Sequence, residues 1–272
     1  MTTKQSTPST EMATVPTTAL STAQSSTELA TMPDDLMQHA GAGTESIGTD
    51  DVKPPRIRLC QSGTPQRKPD DPQQIKGLNE LDIFNDVSGE IYGRKVRFTV
   101  IKALGHRHIE FAPMDDGGGV IDFDVKDGDP RTQFTTDAQG ERVKPIATKF
   151  YDYLVWLPDH FDVGVLSFKS TSLKAAIKLN GFLKMPLKIN GVVLASPPAW
   201  ARTFELTTTM DRKDSFAWGV YNIGQPMLTD TDVRTVCADL FDTYKAKTIK
   251  IDADENDNSD AIDVDAQPIE DM

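Results

Sequence analysis

All 20 aromatic residues of this 272-residue chain fall between Phe84 and Tyr244. Rings supply much of the apolar area a domain of this size can bury, so the core must lie in that window. Residues 1–50 are rich in Thr, Ser and Ala, and Lys4 is their only base. Such a segment cannot bury enough apolar surface to offset its ordering entropy. Residues 251–272 carry nine acids and no base. The expected organisation is a disordered Thr/Ser-rich arm over 1–53, one β-rich domain over 54–250, and a disordered acidic tail over 251–272.

Charge follows the same division. The formal net charge is −12, yet residues 51–250 hold 28 bases against 26 acids. An acidic protein by pI is thus a near-neutral domain between two negative arms, and the low pI does not exclude a nucleic-acid partner. Cys60 and Cys237 are too few and too far apart for a disulfide framework or a zinc site. They point to a cytosolic, reducing compartment. No apolar run is long enough to span a bilayer, and the N-terminus has neither a secretory pattern nor the arginines of a transit peptide. No membrane association is expected.

Within the domain, period-two alternation dominates. Val96, Phe98 and Val100 share one face, while Lys95, Arg97 and Thr99 share the other. A break at Gly105 leads to a second run in which Arg107, Ile109 and Phe111 oppose His106, His108 and Glu110. The pattern predicts an antiparallel hairpin over 82–113 with one packed and one wet face. Ile57 and Leu59, alternating with Arg56 and Arg58, predict a short edge strand. The apolar run 149–169 predicts central strands that turn at Pro158-Asp159, and 200–210 with 215–223 predicts a second hairpin. Two helices are expected. One is 170–185, with Leu173, Ile177 and Leu179 on its apolar face. The other starts at Thr229 or Asp230, with Val233, Val236, Cys237, Leu240, Phe241 and Tyr244 inward. The fold class is mainly β with two flanking helices, an OB-like antiparallel barrel or partly open sheet.

Catalytic chemistry is absent from the motifs. There is no Gly-x-Ser-x-Gly elbow, Cys–His pairing or Walker sequence. The glycine triplet at 117–119 precedes no helix. Asp122, Asp124, Asp127 and Asp129 lack the turning glycine and terminal glutamate of a calcium loop. His106 and His108 project from one strand face, as a metal site requires, but no carboxylate or cysteine stands at ligand spacing. No enzyme activity, no cofactor and no metal are expected.

What remains is a β-rich domain whose aromatics interleave with Lys and Arg, followed by an acidic tail. That layout suits a single-strand binder, in which bases stack on rings and cations track phosphates. The candidate stacking residues are Tyr92, Phe111, Tyr151, Trp200 and Trp218. The candidate cations are Arg94, Lys95, Arg97, Arg107, Arg202, Arg212 and Lys213.

The segments PPRIRLCQS, IKGLNELDIFNDVSGEIYG, HRHIEFAP and WARTFELTTTMDRKDSFAWGVYNI together resemble a family of tailed-bacteriophage proteins, over about Pro55 to Lys245. That resemblance is structural and implies no reaction. The tail, ending in PIEDM, is similar to those of phage and bacterial single-stranded DNA-binding proteins, which recruit replication and repair partners. Those tails usually end in an aromatic residue, where this chain has Met272. The expected function is sequence-independent single-stranded DNA binding in phage replication or recombination. The expected partners are single-stranded DNA, replication or recombination proteins docking on the tail, and further copies of the chain in a homo-oligomer. The alternative is a virion or assembly protein whose arms tether it to other subunits.

Overall fold

The structure, a computed structural model, describes residues 38–39, 42–46, 54–113, 119–213, 216–247, 249 and 251. The chain falls into two units, Met1–Ile47 and Gly48–Met272. In the first, the described residues form one turn, with Ala42 N–H donating to His39 O at 3.0 Å. Most of the arm expected over 1–53, and all of the tail beyond Ile251, lies outside the described residues.

The second unit is mainly β. In chain order its strands are β1 (Arg56–Leu59), β2 (Ile83–Asn85), β3 (Ile91–Gly93), β4 (Lys95–Phe111), β5 (Val120–Val125), β6 (Thr135–Thr136), β7 (Arg142–Val143), β8 (Ala147–Leu157), β9 (Asp162–Lys169), β10 (Leu187–Ile189), β11 (Val192–Leu194), β12 (Arg202–Lys213), β13 (Phe216–Ile223) and β14 (Met227–Leu228). Two α-helices accompany them, α1 (Leu173–Lys184) and α2 (Thr231–Tyr244). The main sheet runs β13-β12-β4-β8-β9-β1-β2-β3, with β5 added to β4 and β14 to β12. All its pairings are antiparallel except β1 with β9.

Within the hairpin expected over 82–113, the two alternating runs do not pair with each other but form one continuous 17-residue strand, β4, while β2 pairs with β3 ahead of it. Its register against β8 slips between Val100 and Lys102 and again between Ala103 and Gly105, leaving Ile101 and Leu104 as extra residues. Each is a β-bulge, which bends the strand and increases its twist. Gly105 takes φ +100°, a backbone angle that a side chain resists. The glycine bends a strand here rather than ending it. β1 is likewise no edge strand: it lies between β9 and β2, with Arg56 buried and its Nε bonded to Asp86 Oδ2 at 2.9 Å.

The curled sheet encloses one core. Val96, Phe98 and Val100 of β4 meet Tyr153, Val155 and Leu157 of β8, Leu166 and Phe168 of β9, and Phe204 and Leu206 of β12. The Phe98 and Phe204 ring centroids are 5.5 Å apart. Each such fully buried side chain contributes about 1.5–3 kcal/mol through removal from water. Helix α1 packs on this core through Ala175, Ala176 and Leu179, while Ile177 is exposed, so its inward stripe is rotated from the expected one. Small alanines let the helix backbone approach the rings, which the expected stripe of larger side chains would not.

The opposite face of the sheet is covered by α2. Ile101, Leu154 and Val165 pack there with Cys237, together with Trp156, Trp200, Val233, Leu240, Phe241 and Tyr244. Val236 turns outward. Because β8 is covered on both faces, it reads as a continuous apolar run, as expected of a central strand. The result is a curled, partly open sheet of OB-like character. Among the described residues no helix is long and apolar enough to cross a membrane.

Candidate nucleic-acid interface

The candidate cations divide into two groups. Lys95 and Arg97 stand exposed on β4, in register with Thr207 and Glu205 of β12. Lys95 Nζ is 2.6 Å from Glu205 Oε2. Arg97 holds Asp159 through a two-point guanidinium–carboxylate contact, its Nε at 2.8 Å from Oδ2. That contact lowers the Asp159 pKa and raises that of Arg97. Arg94, also exposed, reaches Glu80 O at 3.4 Å. Arg212 and Lys213 lie exposed at the end of β12. Exposed pairs of this kind contribute little to stability.

Arg107 and Arg202 belong to the fold. Arg107 Nε donates to Asp152 Oδ2 at 2.8 Å, and its guanidinium lies 4.9 Å from the Phe150 centroid. Asp152, 3% exposed, also accepts from Ser167 Oγ at 2.5 Å. Arg202 is buried, and its Nη2 donates to Met185 O at 2.7 Å and Pro186 O at 2.9 Å, fastening the end of α1 to β12.

The rings divide in the same way. Tyr92 is buried, its hydroxyl bonded to Asp162 and its ring edge-on to His160 at 4.6 Å. Trp218 is buried and its Nε1 has no hydrogen-bond partner. Trp200 packs on Phe241 of α2 at 4.8 Å, and Phe111 lies against Phe150 at 6.3 Å. Tyr151 differs from the rest. It is half-buried on the concave side of β8, with Lys149 Nζ 4.9 Å from its ring centroid and the His106 ring at 5.8 Å.

Tyr151 lines an open cavity of about 580 Å³ between the bulged part of β4, the second half of α1 and residues 196–199. Ala103, Tyr153, Leu183 and Pro197 make its apolar wall, and His106, Asn180 and Lys184 supply polar atoms. The cavity opens beside the second β4 bulge at Leu104 and Gly105, where a Cβ would meet nothing within 4 Å. The bulge was the one determinant without a sequence signal, since β4 reads as two runs.

A smaller cavity of about 60 Å³ lies beside Arg107, lined also by Arg56, Arg58, Lys169, Ser170 and Thr171. Phe150, Asp152, Ser167 and Lys169 pair across β8 and β9 on the sheet face that α2 covers further along. Arg56 and Arg58 of β1, Arg107 of β4 and Lys169 of β9 therefore gather on the face opposite Tyr151. The chain beyond α2 reaches this face too. Ile249 and Ile251 pack into the α2 cluster, Lys102 Nζ donates to the carbonyls of Tyr244, Lys245 and Lys247 at 3.1–3.2 Å, and Arg107 Nη1 reaches Ile251 O at 3.4 Å.

A curled mainly β domain, with one helix on its core and one on its outer face, defines the class. Residues 23–250 match the family model described as Pam3 phage gp34-like protein, and the chain belongs to that family. The likeness to phage proteins read from Pro55 to Lys245 therefore holds, and the match extends upstream of it. No curated protein matches the chain, and no solved structure does.

Proposed function

We propose that this phage protein binds single-stranded DNA without sequence preference, in phage DNA replication or recombination. The observation that carries the reading is the Tyr151 cavity: a half-buried ring beside an apolar wall, with Lys149 and Lys184 at hand. A base stacked on Tyr151 would leave its phosphates within reach of these lysines, the division of labour that single-strand binders use. Arg94 lies just before β4, and Lys95 and Arg97 lie further along the strand on the sheet face opposite Tyr151, where they offer exposed cations outside the cavity. Trp218 is buried and Trp200 packs on Phe241 of α2, so tyrosine rather than tryptophan carries the stacking.

The test is an anisotropy titration of labelled oligo-dT at low salt, with wild type and Tyr151→Ala compared. The variant should lose about 1–3 kcal/mol of binding and keep its unfolding midpoint. Equal affinity for duplex, or an unaffected variant, removes the reading.

One observation favours the assembly alternative. The β10–β11 hairpin turns at Asn190-Gly191, both at positive φ, and leaves Ile189, Val192, Val193 and Leu194 exposed. An apolar hairpin in water suits contact with another protein chain. Oligomers that dissociate in Val192→Asp, with no response to oligonucleotide in wild type, would favour it.

A further inference from the structure

His106 and His108 are two residues apart on one face of β4, and the sequence shows no third ligand near them. The fold brings one. Asp127 follows β5 and lies over both rings, with Oδ2 2.8 Å from His106 Nε2 and Oδ1 3.2 Å from His108 Nδ1. One donor atom from each of the three residues lies within 4.8 Å of the others.

The turn that presents Asp127 is braced. Asp129 N–H donates to Lys126 O at 3.1 Å, and Arg131 grips Asp129 through Nε at 3.0 Å and Nη2 at 2.8 Å. The same arginine binds Glu110 at 2.6 Å and Asp122 at 3.1 Å, which ties the turn to β4 and β5. Lys126 pairs with Asp124. Lys149, opposite His108 in register, has its ammonium over the Tyr151 ring.

A second observation points to a ligand. His108 is 7% exposed, and its Nδ1 is buried without a hydrogen bond. The 3.2 Å approach to Asp127 lacks the alignment of one. An imidazole nitrogen in that position is normally satisfied, because leaving it bare costs about 1–3 kcal/mol. Here it is aimed at a carboxylate that already touches a second imidazole.

We propose that His106 Nε2, His108 Nδ1 and an Asp127 carboxylate oxygen bind one divalent first-row transition cation, Zn²⁺ being the natural occupant. Two imidazoles and one carboxylate suit Zn²⁺ and disfavour Mg²⁺ or Ca²⁺, which take oxygen ligands. Bonds of about 2.0–2.1 Å in a tetrahedral site set ligand atoms about 3.3 Å apart, close to the 3.0 and 3.2 Å that separate Asp127 Oδ1 from His106 Nε2 and His108 Nδ1. Asp127 is exposed, so the fourth position faces solvent and takes a water or an anionic oxygen. Burial also lowers the His108 pKa, which leaves the ring neutral as a ligand must be. The ion would clamp the turn after β5 onto β4. This inference is independent of DNA binding, although His106 borders both sites.

The experiment is calorimetric titration of ZnCl₂ into the untagged, chelator-treated full chain, with Co²⁺ absorption and thermal unfolding alongside. One equivalent should bind, Co²⁺ should give the visible bands of tetrahedral coordination, and the melting temperature should rise with free metal. Asp127→Asn and His106→Asn, both at accessible side chains, should each weaken binding roughly tenfold or more and melt like wild type without metal. Absence of stoichiometric binding overturns the proposal. So does undiminished binding in the double variant, which would put the metal on the acidic residues 252–272, and so does Mg²⁺ binding as tightly as Zn²⁺.

Discussion

Gln61 clasps the peptide groups of Gly219, 158 residues away: its Nε2 donates to Gly219 O at 2.9 Å, and its Oε1 accepts from Gly219 N–H at 2.7 Å. One amide thereby makes the two bonds of a strand pair, joining the end of β1 to the middle of β13 and holding the curl of the sheet. A Cβ on Gly219 would lie 2.8 Å from Leu81 Cδ2 and 3.1 Å from Gln61 Oε1. Gln61→Ala should cost about 1–3 kcal/mol, because two main-chain groups lose their partner. Gly219→Ala should cost a similar amount, about 1–3 kcal/mol, by overpacking. Urea unfolding monitored by tryptophan fluorescence measures both, and wild-type midpoints would mean that the clasp does not hold the curl.

Arg107 and Lys149 should separate structural from binding cations. Removing Arg107 strands Asp152 in the interior, so Arg107→Ala should destabilise by about 3 kcal/mol. Arg107→Lys should not rescue it fully, since lysine lacks the planar fork. Lys149→Ala should unfold like wild type and flatten the salt dependence of single-strand binding by about 0.7 in log–log slope. Salt-series titrations beside denaturation curves test the pair. The reverse assignment would follow if Arg107→Ala stayed stable and lost binding.

Much of the fold was legible because alternation is imposed by burial. Val96, Phe98 and Val100 had to share a face, and so did the apolar positions of 149–169. Gly105 misled because a glycine between two alternating runs has the same local pattern at a hairpin turn and at a bulge. Only the pairing partner, β8, decides which. The candidate site was less legible for a related reason. Tyr92, Trp218 and Tyr151 sit in similar β contexts, and their different exposures depend on what packs opposite: Asp162 and His160 for Tyr92, β1 for the β13 strand, an open cavity for Tyr151. Asp127 was invisible as a neighbour of His106 because β5 doubles back along β4, a long-range pairing with no local signal.

The two thiols should be inert at neutral pH. Burial pushes Cys60 up to about 11 and Cys237 up to about 12, so neither forms a thiolate while the chain is folded. Thiol reagents should react with both only on unfolding. The same shifts predict alkaline sensitivity. A thiol that keeps its proton when folded contributes stability that is fully present below its unfolded value of 9.0 and lost as pH rises toward 11–12. Burial raises the Tyr92 and Tyr153 hydroxyls in the same direction. Stability measured at pH 8 and pH 10.5 should therefore fall, and Cys237→Ala should reduce the fall. A flat profile would show that the thiols are more open than their burial implies.

Ile251 fixes where the acidic residues beyond it begin. Its carbonyl meets Arg107, and its side chain packs with Ile249 beneath α2, on the sheet face that also gathers Arg58 and Lys169. The nine acids between Asp252 and Asp271 are therefore tethered at a cationic surface. A tether this short keeps them at an effective concentration of about a millimolar. At low salt, where the screening length is about 30 Å at 0.01 M, they should compete with DNA phosphates for the domain's exposed lysines and arginines. Deleting 252–272 should raise single-strand affinity most at low salt, with the gain fading as salt increases. Ending the chain at 248 should behave differently. It removes the half-buried Ile249 and Ile251 from an apolar cluster and should lower stability by about 1–3 kcal/mol in all, less than two fully buried side chains would contribute. Paired titrations of the two truncations at 10 and 200 mM salt separate competition from packing. An affinity at low salt that does not change when 252–272 are removed would mean that these acids leave the cationic surface alone.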